Sequence, residues 1–153
     1  MQKTRADRRN SQLDEIAEGL PQRSSELSRL FLTRTSVCVS RTEVGVLRKL
    51  RAEPRRITEL AAEERVTQPA ITLLVNRLTE RGWVERVPDP TDRRAVLVSL
   101  TPDGEAAFDR LRAEYRALLH EEMVSLDDAE VETLAAAVAI LDKVIDRLKE
   151  RDT

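Results

Sequence analysis

Apolar residues recur along most of the chain at three- and four-residue steps, the period of helices packed on one side. Leu13, Ile16, Ala17 and Leu20 begin the pattern, and Leu27, Leu30 and Phe31 resume it beyond Gly19 and Pro21. Pro21 either kinks one long helix or restarts it at a first-turn position, where its missing N–H costs nothing. Residues 1–10 are polar and read as a mobile arm. Ser40 is an N-cap type with Glu43 three residues on, the spacing of a capping box. Val44, Leu47 and Leu50 give that helix its buried face, and Glu53-Pro54 ends it. A short helix follows, capped by Thr58 or entered near it, with Ile57, Leu60 and Ala61 inward. Thr67 caps the next helix, with Pro69 in its first turn. Ile71, Leu74, Val75 and Leu78 fit the i, i+3, i+4, i+7 template, and Gly82 stops the helix.

Beyond Gly82 the period changes. Trp83 to Val87 reads as a strand, Pro88 to Arg94 as a turn-rich loop, and Val96, Val98 and Leu100 alternate with Leu97 and Ser99. Residues 83–100 are therefore predicted to form a two-stranded hairpin. Thr101-Pro102, an N-cap type followed by proline at the first helical position, starts a long helix with Phe108, Leu111, Tyr115, Leu118 and Leu119 on one side. Asp127 to Glu130 has capping-box spacing. The last helix carries Val131, Leu134, Ala135, Val138, Leu141, Ile145 and Leu148, a stripe longer than a small domain needs and one that a partner chain could cover. The expected fold is mainly α, with a small β-hairpin between long terminal helices.

The helix-turn-helix spans 57–81, and the hairpin follows at once as a wing. Such a pair must anchor one face of its second helix and show a polar face to the major groove. Gln68, Thr72 and Asn76 lie four apart, opposite the apolar face. Glutamine can bond an adenine edge with two hydrogen bonds, and a threonine methyl or Ala70 can meet a thymine methyl. Arg77, at the edge, suits a phosphate contact or a salt bridge to the wing. The wing tip holds Arg93 and Arg94, and an extended arginine can enter a narrow minor groove, where negative potential concentrates. Asp92 is unsuited to phosphate; its role is to hold an arginine, Arg77 or Arg94, in place.

Composition adjusts this picture little. The 153 residues are 41% hydrophobic, enough for a core, but only 3% aromatic, which suits helices better than a β-sandwich. A formal net charge of −2 opposes a nucleic-acid partner only weakly, since fields decay over about 10 Å and the surface that matters is local. The single cysteine, Cys38, permits no internal disulfide, as expected of a cytoplasmic protein. It reads first as a small idle residue, although nearby Arg34 and Arg41 make it the one candidate for a redox-active thiol. The charged N-terminus is not that of a signal peptide, and no stretch approaches the ~20 apolar residues of a membrane span. One histidine, His120, one cysteine and four glycines leave no N/S metal cluster, phosphate-cradling loop or Ser/His/Asp arrangement. No enzyme, metal or cofactor is expected. A carboxylate-only hydrolase lacks a pocket-forming α/β pattern. A winged helix used only for protein contacts would favour an acidic or bulky recognition face.

The runs Ile57-Thr58-Glu59-Leu60-Ala61, Thr67-Gln68-Pro69-Ala70-Ile71-Thr72, Arg77 to Val84 and Asp89 to Gly104 resemble the MarR family of bacterial regulators. The likeness covers about residues 40–120, and its most specific part is Asp-x-Arg in the wing, then a β-branched strand and Leu-Thr-x-x-Gly. The resemblance implies a fold that is mainly α with a small β-wing, a winged helix-turn-helix DNA-binding lobe plus long N- and C-terminal helices forming a dimerisation region: an N-terminal arm and dimerisation helix (1–39), a winged helix-turn-helix DNA-binding domain (40–101) and C-terminal dimerisation helices (102–153). It implies a homodimer clasped by the first and last two helices, with two winged lobes on a pseudo-palindromic site in double-stranded DNA. It places Thr67, Gln68, Ala70 and Thr72 at bases, Arg94 in the minor groove and Ser40 near the phosphate backbone. It also implies a regulator, most often a repressor, that a small aromatic or phenolic effector releases from DNA in many members, while others use cysteine oxidation. Leu73 departs from the pattern, being apolar where members usually carry a polar residue.

Overall fold

The structure, a computed structural model, describes residues 4–92 and 94–151. It divides into two compact units, Met1–Tyr115 and Arg116–Thr153.

Helix α1 (Arg5–Arg34) begins earlier than its apolar pattern does. The Thr4 hydroxyl accepts from the Asp7 N–H at 3.2 Å and the Asp7 carboxylate accepts from the Thr4 N–H at 3.0 Å, so a capping box replaces most of the expected arm. Hydrogen bonds from Thr4, the hydroxyl's first, hold the Asp7 carboxyl below its ordinary range. Pro21 neither restarts nor ends this helix, which runs through it. The proline ring is exposed. The carbonyl it leaves without a partner can therefore bond to water instead.

Helix α2 (Arg41–Ala52) is capped by Ser40 and Glu43 as expected. Strand β1 (Arg55–Arg56) was not legible in the sequence. Because Arg56 is extended in that strand, it becomes the N-cap of α3 (Ile57–Glu64), so the helix is entered next to Thr58 as expected but is not capped by it. Arg65, in the left-handed region at φ 55°, turns the chain towards α4 (Gln68–Glu80). Strands β2 (Val84–Pro88) and β3 (Val96–Leu100) pair antiparallel from Val84 opposite Leu100 to Pro88 opposite Val96. Strand β1 joins the far edge of β3, Arg55 opposite Val98, so the expected two-stranded hairpin is a three-stranded sheet with β3 in the middle.

The core of the first unit lies between these elements. Val46, Leu47, Leu60, Ile71, Val75, Leu78, Val84, Val98 and Leu111 are fully buried. The last of these comes from α5 (Pro102–Met123), capped by Thr101, whose hydroxyl accepts from the Gly104 N–H and donates to the Gly82 carbonyl. Gly82 itself needs its glycine, because it leaves α4 at φ +73°.

In the second unit, α6 (Asp128–Arg151) starts at a capping box between Asp127 and Glu130 and buries none of its residues. Val131, Leu134, Val138, Ile145 and Leu148 remain 43–56% exposed. Among the described residues, no helix is long and apolar enough to cross a membrane.

Candidate nucleic-acid interface

Helix α4 buries Ile71, Leu74, Val75 and Leu78, which fixes what it can present outwards. The Thr67 hydroxyl accepts from the Ala70 N–H at 3.4 Å, and Thr67, Gln68 and Ala70 are exposed at the free end of the helix. Thr72 is half-buried, and its hydroxyl donates to the Gln68 carbonyl at 2.9 Å. An i, i+4 row advances about 40° round a helix per step. The Gln68–Thr72–Asn76 line therefore wraps obliquely, and the ridge directly opposite the core is Pro69, Leu73, Asn76 and Glu80. Asn76 is held, its carbonyl oxygen accepting from Arg86 of β2 at 2.8 Å.

Among the described residues, Arg77 pairs with neither the wing nor Asp92. Its Nε lies 3.8 Å from the carboxylate of Glu43, which is only 4% exposed. The other oxygen of Glu43 accepts from the Ser40 N–H at 2.7 Å. One buried carboxylate thus brings together Ser40 and Arg77, two residues that sequence reasoning proposed separately.

The wing is organised by a residue that sequence reasoning passed over. Asp89 is 6% exposed and accepts from Arg56 at 2.6 and 3.2 Å, from the Thr91 N–H and hydroxyl at 2.8 and 2.7 Å, and from the Asp92 N–H at 3.3 Å. The Thr91 hydroxyl, then the Arg56 guanidinium, hold its carboxyl far below the ordinary carboxylate range. The same bond raises the Arg56 pKa. Aspartate two residues before threonine in a turn is the available signal for this cluster; Arg56 had none, because a two-residue strand is too short for periodicity. Asp92 corrects the earlier assignment. The guanidinium near it is that of Arg56, at 3.7 Å, and it meets Arg94 through the backbone, accepting that N–H at 3.0 Å. Both expected guanidinium partners are displaced because Arg77 is occupied at Glu43 and Asp92 caps its own turn. The Arg94 residue is exposed. Arg93 lies outside the described residues.

Cys38 is exposed in the α1–α2 link, its carbonyl accepting from Arg81 at 2.8 Å. Arg81 in turn stacks on Trp83, 5.0 Å from the ring centre. Ser36, in the same link, donates its N–H and hydroxyl to Glu114 of α5, which lowers the Glu114 pKa. Tyr115 stacks on Phe31 at 5.0 Å, so it packs, as expected. His120 is exposed on α5.

A helix-turn-helix followed at once by an antiparallel ribbon, all anchored on one aliphatic core, defines a winged helix-turn-helix protein. The MarR family model matches residues 39–96. The multiple antibiotic resistance protein MarR of Salmonella typhimurium is 44% identical over 66 residues, 42% of this chain and 46% of the relative, so the match spans about half that relative's length. YpoP of Bacillus subtilis, an uncharacterized HTH-type transcriptional regulator, is 29% identical over 106 residues, 69% of this chain and 75% of that one. The crystal structure of a mutant MarR from E. coli is similar with a TM-score of 0.68 and 31% identity, over 87% of this chain and 96% of that chain. The chain belongs to the MarR family, whose members are transcriptional regulators rather than enzymes.

Proposed function

We propose that the protein is a cytoplasmic homodimer that binds a pseudo-palindromic operator in duplex DNA and represses the genes beside it. The observation that carries this reading is the pairing of α4, its outward face unburied, with a wing whose base is tied down by Asp89 and whose Arg94 is exposed. Thr67, Gln68, Ala70, Thr72 and Asn76 would meet bases, Ser40 and Arg77 phosphates, and Arg94 the minor groove, with Asp92 shaping its turn. The unburied stripe on α6, and Leu13, Ile16 and Leu27 exposed at 46–59% on α1, support association of two copies. A cavity of about 280 Å³ supports an effector: Phe31 and Tyr115 offer aromatic walls, and Arg41 and Arg48 offer charge for an acidic aromatic or phenolic molecule.

Gel shifts of genomic fragments over a salt series test the reading. Phosphate contacts release counterions, so affinity should fall steeply with salt. Footprints should show two half-sites about 34–36 Å apart. Salt-independent retardation, or a single unpaired footprint, would remove the proposal.

A further inference from the structure

Leu73 is 62% exposed, more than any other large apolar side chain recorded in the first unit, on a helix that otherwise buries its large aliphatics. It stands two residues from both Ile71 and Val75, hence roughly 150° from the buried face at about 100° per residue. Exposed Pro69 and Ala70 lie one turn before it. Together they make a small apolar patch in the N-terminal half of the helix, bounded by Gln68, Thr72, Asn76 and Arg77. Apolar residues exposed on α6 form a long stripe, the form that helix–helix association takes. Leu73 has no such continuation, since the next outward positions are Asn76 and Glu80. Its surroundings suit a small apolar target within a polar, anionic surface. The major groove offers one such feature, the thymine C5-methyl group, and the N-terminal half of a recognition helix is the part that meets base edges.

We propose that Leu73, with Ala70, reads a thymine methyl in each half-site and so biases the operator towards an A·T pair there. This rests on the DNA-binding reading above. The test is to select a duplex from a randomised library with the full chain, then resynthesise it with deoxyuridine replacing one thymine at a time. Anisotropy titrations at one salt concentration then compare wild type with Leu73→Ala. At one thymine per half-site the wild type should lose about fourfold in affinity, the worth of one buried methyl. Leu73→Ala should show no loss at that position, with unchanged Tm, sedimentation and salt slope, and Leu73→Met should keep the discrimination. Superimposable deoxyuridine profiles for wild type and Leu73→Ala would overturn the assignment while leaving DNA binding intact. So would a Leu73→Ala variant altered only in self-association. If the chain selects no duplex at all, both proposals fall.

Discussion

Gly104→Ala sets local propensity against tertiary packing. Gly104 lies in the first turn of α5, where alanine is the better helix former and the change alone would stabilise by about 0.5–1 kcal/mol. Packing demands the opposite sign. A Cβ built there overlaps the Trp83 carbonyl oxygen and stands 2.8 Å from its carbon and 2.9 Å from Leu100 Cδ1. Ordinary carbon contacts need roughly 3.5–4.0 Å, so the root of the wing must retreat by something near an ångström. That retreat strains the Thr101 N–H to Trp83 carbonyl bond at 3.0 Å, worth about 1 kcal/mol. Overpacking adds about 1–3 kcal/mol. Less the propensity gain, the net loss is about 1–3.5 kcal/mol, or a Tm lower by roughly 2–14 °C for a chain of this size. Urea and thermal unfolding of wild type, Gly104→Ala and Gly104→Ser measure it. A Tm equal to or above wild type would refute the packing argument and leave propensity in charge.

The knot at Asp89 should show in the pH dependence. A carboxyl depressed in the folded state stabilises fully above its ordinary value, 3.8, and loses that contribution as pH falls through the folded value. The Tm gap between wild type and Asp89→Asn should therefore hold constant from about pH 7 to 5 and close only in stronger acid; a gap that fades above about pH 5 would assign it elsewhere. Arg94→Ala should weaken operator binding by roughly five- to a hundredfold if it enters a groove, in titrations at fixed salt, and unchanged affinity would strike it from the interface. Gln68→Ala should flatten sequence preference more than it lowers non-specific affinity, and equal losses on all duplexes would reassign Gln68 to the backbone. Leu134→Asp with Val138→Asp should yield monomers by sedimentation while the wing lobe keeps its helicity, and an intact dimer would contradict the role given to α6.

Capping chemistry made the elements legible. Ser40 with Glu43, Thr67 with Pro69, Thr101-Pro102 and Asp127 with Glu130 all start helices where their side chains satisfy free N–H groups, a local matter that three or four residues decide. The start of α1 was missed because Thr4 and Asp7 precede the apolar period, which begins only at Leu13. The four aliphatics of α4 likewise declared its buried face, and with it the face left for a partner.

What the sequence could not decide is who holds whom. Asp89 and Arg56 are 33 residues apart, and Glu43 and Arg77 are 34 apart; each pair exists only because β1 joins β3 and because α4 packs near the start of α2. Local pattern names the charged residues but not their partners, because an ion pair is set by distance in space and a helical or strand period carries no record of it. The sequence by itself settled the winged helix-turn-helix order and its inward and outward faces. Tertiary structure alone decided that Asp89, not Asp92, ties down the wing, and that one buried glutamate aligns Ser40 with Arg77.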